Sequence, residues 1–190
     1  MKYRESGMPD ENLWRTFFDP AQILNLMGIN EKIKILVDIG CGYGTFLFPA
    51  SKFVEKVIGI DIDKRMIEYC SNIIQENKFK NIELIDVDIS QNQTIQEKLS
   101  LYSNQIDYIT LFNILHCEDP VKLLQSIYNI LKHESKIGVI HWKHQNTPRG
   151  PSMEIRPTPE QIMDWANIVG FTTENEINLP PYHYGIVFKK

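Results

Sequence analysis

The chain has few cysteines, no excess of positive charge and no long apolar run, and each shortage closes off a class of function. Its 190 residues hold three cysteines, Cys41, Cys70 and Cys117. The number is odd, the spacings are wide and no C-x-x-C pair occurs. Neither a disulfide framework nor a structural zinc site is expected. Lysine and arginine together number 20 against 24 acidic residues, a net charge of −4. No basic stripe or lysine block supplies a phosphate-binding face, so no nucleic-acid partner is expected. Residues 1–15 contain no apolar signal core, and no run elsewhere is long enough to span a bilayer. The expectation is a cytoplasmic protein with no membrane partner.

What is present is ordinary globular composition, 43% hydrophobic and 23% charged, in a length that suits one domain over 1–190. The stretch around which the rest is arranged is Val37-Asp38-Ile39-Gly40-Cys41-Gly42-Tyr43-Gly44-Thr45. An apolar run, Ile33 to Leu36, precedes it, and Phe46 to Ala50 follows. This reads as a buried strand, a glycine-rich turn and a helix start. Such a turn at a strand's carboxyl end is where α/β sheets bind nucleotide-like cofactors.

Before this stretch, Trp14, Phe17 and Phe18 crowd an aromatic segment, and Asp19-Pro20 opens a helix. Residues 1–30 are expected to form an N-terminal helical cap, either a wall over the site or a plug for the sheet edge. After it, Val57 to Asp61 is a second strand ending in an acid 21 positions beyond Gly40, the distance at which a carboxylate accepts from ribose hydroxyls. Asp63 is the N-cap of the next helix, and Ile62 lies between them for an adenine face. Further strands are expected at 81–88, 106–113 and 136–142, ending near Asp88, Asn113 and His141. These ends recur at about one strand–helix–strand period, which collects them on one sheet edge. Residues 143–158 form an irregular loop leaving that edge. Its arginines, Arg149 and Arg156, either clamp an anionic group or belong to a rigid connector. Two final strands surround Pro180-Pro181.

The pattern D-x-G-x-G-x-G from Asp38 to Gly44, the acids at Asp61 and Asp88 and the closing strand pair resemble the class I S-adenosylmethionine-dependent methyltransferases. Asn113-Ile114-Leu115-His116 is similar to the N-x-x-H of the small-molecule type, not to the Asn/Asp-Pro-Pro-aromatic motif of the nucleic-acid and amide modifiers. The resemblance implies a Rossmann-like, doubly wound α/β sheet of about seven strands, mostly parallel with an antiparallel last strand, and helices on both faces. It implies S-adenosyl-L-methionine as cofactor, held by Asp38, Gly40, Cys41, Gly42, Gly44, Asp61, Ile62, Asp88, Ile89 and Asn113. Asp88 would accept from the adenine amino group and the Ile89 N–H would bond the ring; an N-cap role also fits Asp88. The acceptor would be a small molecule and the protein a monomer or homodimer. Trp14, Phe17, His141 and Arg149 are the candidate substrate-facing residues. His116 is the first choice for a general base, with a structural role as the bland reading. No metal is expected, since His141, His144 and Cys117 show no ligand spacing.

Two other readings stay open. A nicotinamide oxidoreductase would share the glycine turn and Asp61. Its Y-x-x-x-K string, Tyr128 to Lys132, lies on the wrong helix for that chemistry. A non-catalytic cofactor-binding subunit is the third.

Overall fold

The structure, a computed structural model, describes residues 10–88 and 92–190. Helices α1 (Glu11–Arg15) and α2 (Pro20–Leu26) lead into strand β1 (Ile35–Ile39). There follow α3 (Leu47–Ala50), β2 (Lys56–Asp61), α4 (Lys64–Asn77), β3 (Ile82–Asp86) and α5 (Asn92–Lys98). The second half holds β4 (Ile106–Phe112), α6 (Pro120–Ile130), β5 (Leu131–Trp142), α7 (Pro159–Val169), β6 (Thr172–Leu179) and β7 (His183–Lys189).

Local chemistry sets the helix starts. Asp19, Asp63 and Asp119 cap α2, α4 and α6, each carboxylate accepting a main-chain N–H of the first turn. Thr158 and Gln161 complete a capping box at α7, with Pro159 at its first position.

The strands form one sheet in the order β3-β2-β1-β4-β5-β7-β6. Its first five strands are parallel, and β7 runs antiparallel to both neighbours. This is the expected doubly wound sheet with an antiparallel last strand. Crossover helices must cover both faces of a parallel sheet, and they do. Ile95 and Leu99 from the α5 region, with Leu123, Leu124, Ile127, Ile162 and Ala166 of α6 and α7, pack on one face against Val37, Ile58, Ile109 and Val139. Ile23 and Leu24 of α2, Leu47 of α3 and Cys70 of α4 pack on the other, against Leu36, Val57, Tyr108 and Ile140. The parallel order reverses between β1 and β4, the crevice where such sheets bind ligands.

Two elements differ from the sequence pattern. The helix that starts after the glycine turn runs for only the four residues of α3, with turns after it. The strand expected at 136–142 begins earlier: Leu131 ends α6 and opens β5 by pairing with Ile106. The Lys132 ammonium next to it pairs with Asp107, whose carboxylate also accepts from the Lys34 and Ile35 N–H groups. No helix among the described residues is long and apolar enough to cross a membrane.

Candidate active site

The glycine turn is built by folding β1 back onto the end of β2. The N–H groups of Gly40 and Cys41 both donate to the Ile60 carbonyl, at 2.8 and 3.0 Å. Gly40 and Gly44 have φ of +79° and +73°, conformations that side-chain-bearing residues rarely hold. A Cβ on Gly40 would stand 2.8 Å from Ile114 Cγ2, and one on Gly44 would overlap the Phe48 ring.

Asp61 lies beside this turn. Its Oδ2 accepts from the Gly42 N–H at 2.8 Å and its Oδ1 from the Asp63 N–H at 2.9 Å. A carboxylate has about four acceptor sites, so capacity remains for two further donors. Burial raises its pKa, and the main-chain N–H donors at Asp63 and Gly42 oppose that rise. Asp63 instead grips its own helix, accepting from the Arg65 N–H and guanidinium. Ile62, between them, is 45% exposed, an apolar side chain left open beside an acid. Val87 N–H donates to the Asp61 carbonyl at 3.1 Å and ties the end of β3, with part-exposed Asp88, to the same edge. Ile89 lies outside the described residues.

Asp38 sits under the turn, 3% exposed, where the Thr110 hydroxyl donates to its Oδ1 at 2.6 Å. Burial pushes its pKa up to about 6; Thr110 opposes this and the Asp61 charge adds to it. Asp38 therefore holds its proton more tightly folded than unfolded. Between pH about 4 and 6 the folded state carries the extra proton, and stability falls as pH rises through that window, by about 1.4 kcal/mol per unit at most. Asp38→Asn, whose amide oxygen still accepts from Thr110, is expected to flatten this slope and to raise the melting temperature at pH 7.5. Melting curves at pH 4.5 and 7.5 check it; a lower melting point at pH 7.5 contradicts it.

Asn113 follows β4 with φ +58°. Its main-chain N–H donates to the Ile140 carbonyl at 2.7 Å. Its side-chain Oδ1 and Nδ2 are both buried and have no hydrogen-bond partner among the described residues. Buried amides without partners are costly, and a polar ligand at this edge would satisfy them. Cys41 contributes main chain to the turn, while its thiol is buried against Cys70, whose Sγ donates to the Gly42 carbonyl at 3.3 Å. Contact with Cys70, then burial, pushes the Cys41 thiol up, which suits packing and not nucleophilic chemistry.

Above the edge, α1 lies on the glycine turn: the Trp14 indole N–H donates to the Thr45 hydroxyl at 3.1 Å. Phe17 meets Trp142 at 5.2 Å and Tyr182 at 6.1 Å between ring centroids. These rings bring α1, the end of β5 and the β6–β7 turn together. A cleft of about 480 Å³ opens between α1 and the α3–α4 side of the turn, walled by Arg15, Tyr43, Thr45, Phe48, Ile73 and Phe79. Asp61, Asn113 and His116 do not line it.

The histidines separate. His116 is half-buried, with Nδ1 3.4 Å from Nε2 of fully buried His141. His141 thus stands behind His116 and not at an open surface. Burial, then the neighbouring His116, holds its pKa well below the ordinary histidine value. His183 is buried under Trp142 and Phe18, and burial lowers it to about 3. His144 is exposed and its Nδ1 bonds the Arg156 carbonyl at 2.8 Å.

The two loop arginines part company. Arg156 is 6% exposed and donates to the carbonyls of Lys143, Gln145, Arg149 and Pro151 and to the Thr147 hydroxyl. It is the connector that holds its own loop. Arg149 is exposed. No group of three potential metal ligands occurs among the described residues. The contribution of Thr110 was not read from the sequence. The signal is the lone threonine in the apolar run Ile106 to Phe112, which takes the register position beside Asp38.

A family model described as a methyltransferase domain matches residues 30–178. The demethylmenaquinone methyltransferase of Lactococcus lactis is 28% identical over 141 residues, 72% of this chain and 51% of that protein. Ribosomal RNA small subunit methyltransferase A of Mesoplasma florum is 26% identical over 155 residues, 76% of this chain and 54% of that protein. The chain thus spans about half the length of these curated relatives. A solved SAM-dependent methyltransferase from Aquifex aeolicus superposes with a TM-score of 0.81 at 23% identity, over 95% of this chain and 94% of that one. With most of its length matched by the family model and the sheet order above, the chain belongs to the methyltransferase domain family and has the class I S-adenosylmethionine-dependent fold.

Proposed function

We propose that the protein transfers the sulfonium methyl of S-adenosylmethionine to a small-molecule acceptor. The observation that carries this reading is the Asn113 amide, without a partner among the described residues and buried at the crevice between β1 and β4, with the acid of Asp61 at the end of β2. Asp61 would take the ribose hydroxyls, Ile62 the adenine face, and Asp88 with the Ile89 N–H the adenine edge. Asp38, Asn113 and the main chain of Gly40, Cys41, Gly42 and Gly44 would hold the methionine end. Bound there, S-adenosylmethionine supplies a methyl group already activated by positive charge. The protein's part is then to align the acceptor, and good alignment can be worth about 10⁵–10⁸ M in effective concentration. His116 is the group placed to take a proton where the acceptor must lose one, a contribution of about 10²–10⁴-fold.

The small-acceptor reading is supported by the enclosure. Residues 10–30 lay rings over the carboxyl edge, with Trp14 and Phe17 as its substrate-side wall, and the 143–158 loop flanks it with Arg149 exposed. The L. lactis relative is named for a quinone-type acceptor, and the net charge of −4 is unhelpful to RNA binding. The M. florum relative is named for ribosomal RNA, and RNA is the rival acceptor. A single-domain arrangement in the cytoplasm belongs to the same proposal, and the three buried free thiols accord with that location.

Calorimetric titration is expected to show binding of S-adenosylmethionine and S-adenosylhomocysteine and none of NAD. Binding of NAD alone would leave the oxidoreductase reading standing. With methyl-labelled cofactor and a cell extract, label is expected in the solvent-extractable fraction. Label confined to RNA would overturn the small-molecule assignment.

A further inference from the structure

We propose that the cleft between α1 and the α3–α4 side of the glycine turn is a second ligand site, separate from the methyl-transfer crevice, and that it takes a planar aromatic carboxylate.

The walls set the shape of the ligand. The cleft holds about 480 Å³, within the span of about 300–1,000 Å³ usual for small-molecule pockets. Phe48 of α3 and Phe79, just after α4, both line it. Their rings lie nearly parallel, 26° apart, with centroids at 5.4 Å. Ile73 of α4 adds a third apolar side chain to the wall. All three are only half-buried. A flat ring laid against them removes apolar surface from water and gains offset or edge contacts with the phenyl groups.

The polar end sets the head group. Glu11 is the only acid in the lining, and it is engaged: Arg15 Nη2 lies 2.5 Å from its Oε1, and the Tyr69 hydroxyl bonds the same carboxylate. Arg15 is not spent by that pair. A guanidinium carries five N–H donors, and this side chain is 66% exposed. Trp14, the residue before Arg15, brings Thr45 alongside. The Thr45 oxygen accepts from the Trp14 indole at 3.1 Å, which leaves the hydroxyl proton to give. Unspent donors therefore predominate at this end. Their complement is a group that only accepts, and a carboxylate matches the fork of an arginine.

The glycine turn is the partition between the two sites. At its Gly40 end a Cβ would stand 2.8 Å from Ile114 Cγ2, beside Asn113 at the crevice; at its Gly44 end a Cβ would overlap the Phe48 ring, the wall of the cleft. Gly44 and Thr45 line the cleft, while Asp61, Asn113 and His116 do not. A ligand in the cleft thus has its own walls and donors and need not compete with one in the crevice.

The test uses two probes with the same ring, 2-naphthoate and 2-naphthylmethylammonium, titrated by calorimetry. The carboxylate is expected to bind about tenfold more tightly than the cation, or better. Arg15→Ala is expected to abolish the preference, and Ile73→Trp, which fills the cleft, to abolish binding of both. In isotope-labelled protein, naphthoate is expected to move the amide resonances of residues 43–45 and 73–79, and saturating S-adenosylhomocysteine is expected to leave its affinity unchanged. Equal binding of the two probes, no saturable binding of naphthoate to the native protein, shifts centred on Asn113 and His116, or displacement of naphthoate by S-adenosylhomocysteine each overturns the proposal. Failure of S-adenosylhomocysteine to bind at all counts against the methyltransferase reading alone, since the probe preference and the two variants still decide the second site.

Discussion

Asp61→Ala is expected to weaken S-adenosylhomocysteine binding by about 10²-fold or more. Two hydroxyl donors on an ionised carboxylate are worth about 1.5–3 kcal/mol each, and each 1.4 kcal/mol is tenfold. The substitution also unties the glycine turn, because the Gly42 N–H loses the acceptor it meets at 2.8 Å. The Asp63 N–H loses its partner as well. Asp61→Asn keeps one acceptor oxygen and should fall between, at about tenfold. Calorimetric titration of the three proteins gives the series, with circular dichroism to establish that each is folded. Equal affinities for the native protein and Asp61→Ala would remove the acid from the site.

Arg156→Ala is expected to be the most destabilising single change in the 143–158 loop, by about 3 kcal/mol or more. The guanidinium is buried and serves four carbonyls and a hydroxyl drawn from Lys143 to Pro151. Each buried acceptor left unpaired costs about 1–3 kcal/mol. For a chain of this length the melting temperature should fall by about 6–12 °C. Arg156→Lys keeps the charge but not the planar fork, and should recover only part of the loss. Thermal melts measure both, and limited proteolysis should find new cleavage within 143–157. A melting point within about 1 °C of the native value for Arg156→Ala would show that the loop is held by other means.

These two residues mark what a sequence tells a reader and what it does not. The place of Asp61 beside the glycine turn was legible because it depends on chain distance: a strand period after the turn places it, and the helix-capping preference of Asp63 separates the two acids. The strand ends, the helix start at Asp19 and the antiparallel closing strand were legible from the sequence too. Arg156 was ambiguous because a guanidinium suits an anion and a ring of carbonyls equally, and only the path of the loop chooses. Thr110 under Asp38, and Cys70 against the Gly42 carbonyl, are contacts across 72 and 28 residues of chain. Periodicity says which face such residues occupy but not whom they meet. The depth of His141 was hidden similarly. A strand-end histidine reads as edge-facing, yet the rings of Tyr184 and His116 lie beside it and it is fully buried.

The sheet order carries a consequence for synthesis. β7 lies between β5 and β6, and it is the partner that β6 has in the sheet. On the ribosome β6 emerges first and must wait for a strand not yet made. During that wait the flank of β5, with Val139 and Ile140 fully apolar, is an open template for another chain. Nascent β6 carries its own protection: Thr172 to Glu176 is polar and exposed throughout, so it neither collapses early nor recruits neighbours, and once assembled it stands as the guarded outer rim. Closure of the domain is therefore timed by the arrival of residues 183–189. The half of the sheet made of β1 to β4, complete in sequence by residue 112, has to remain competent until then.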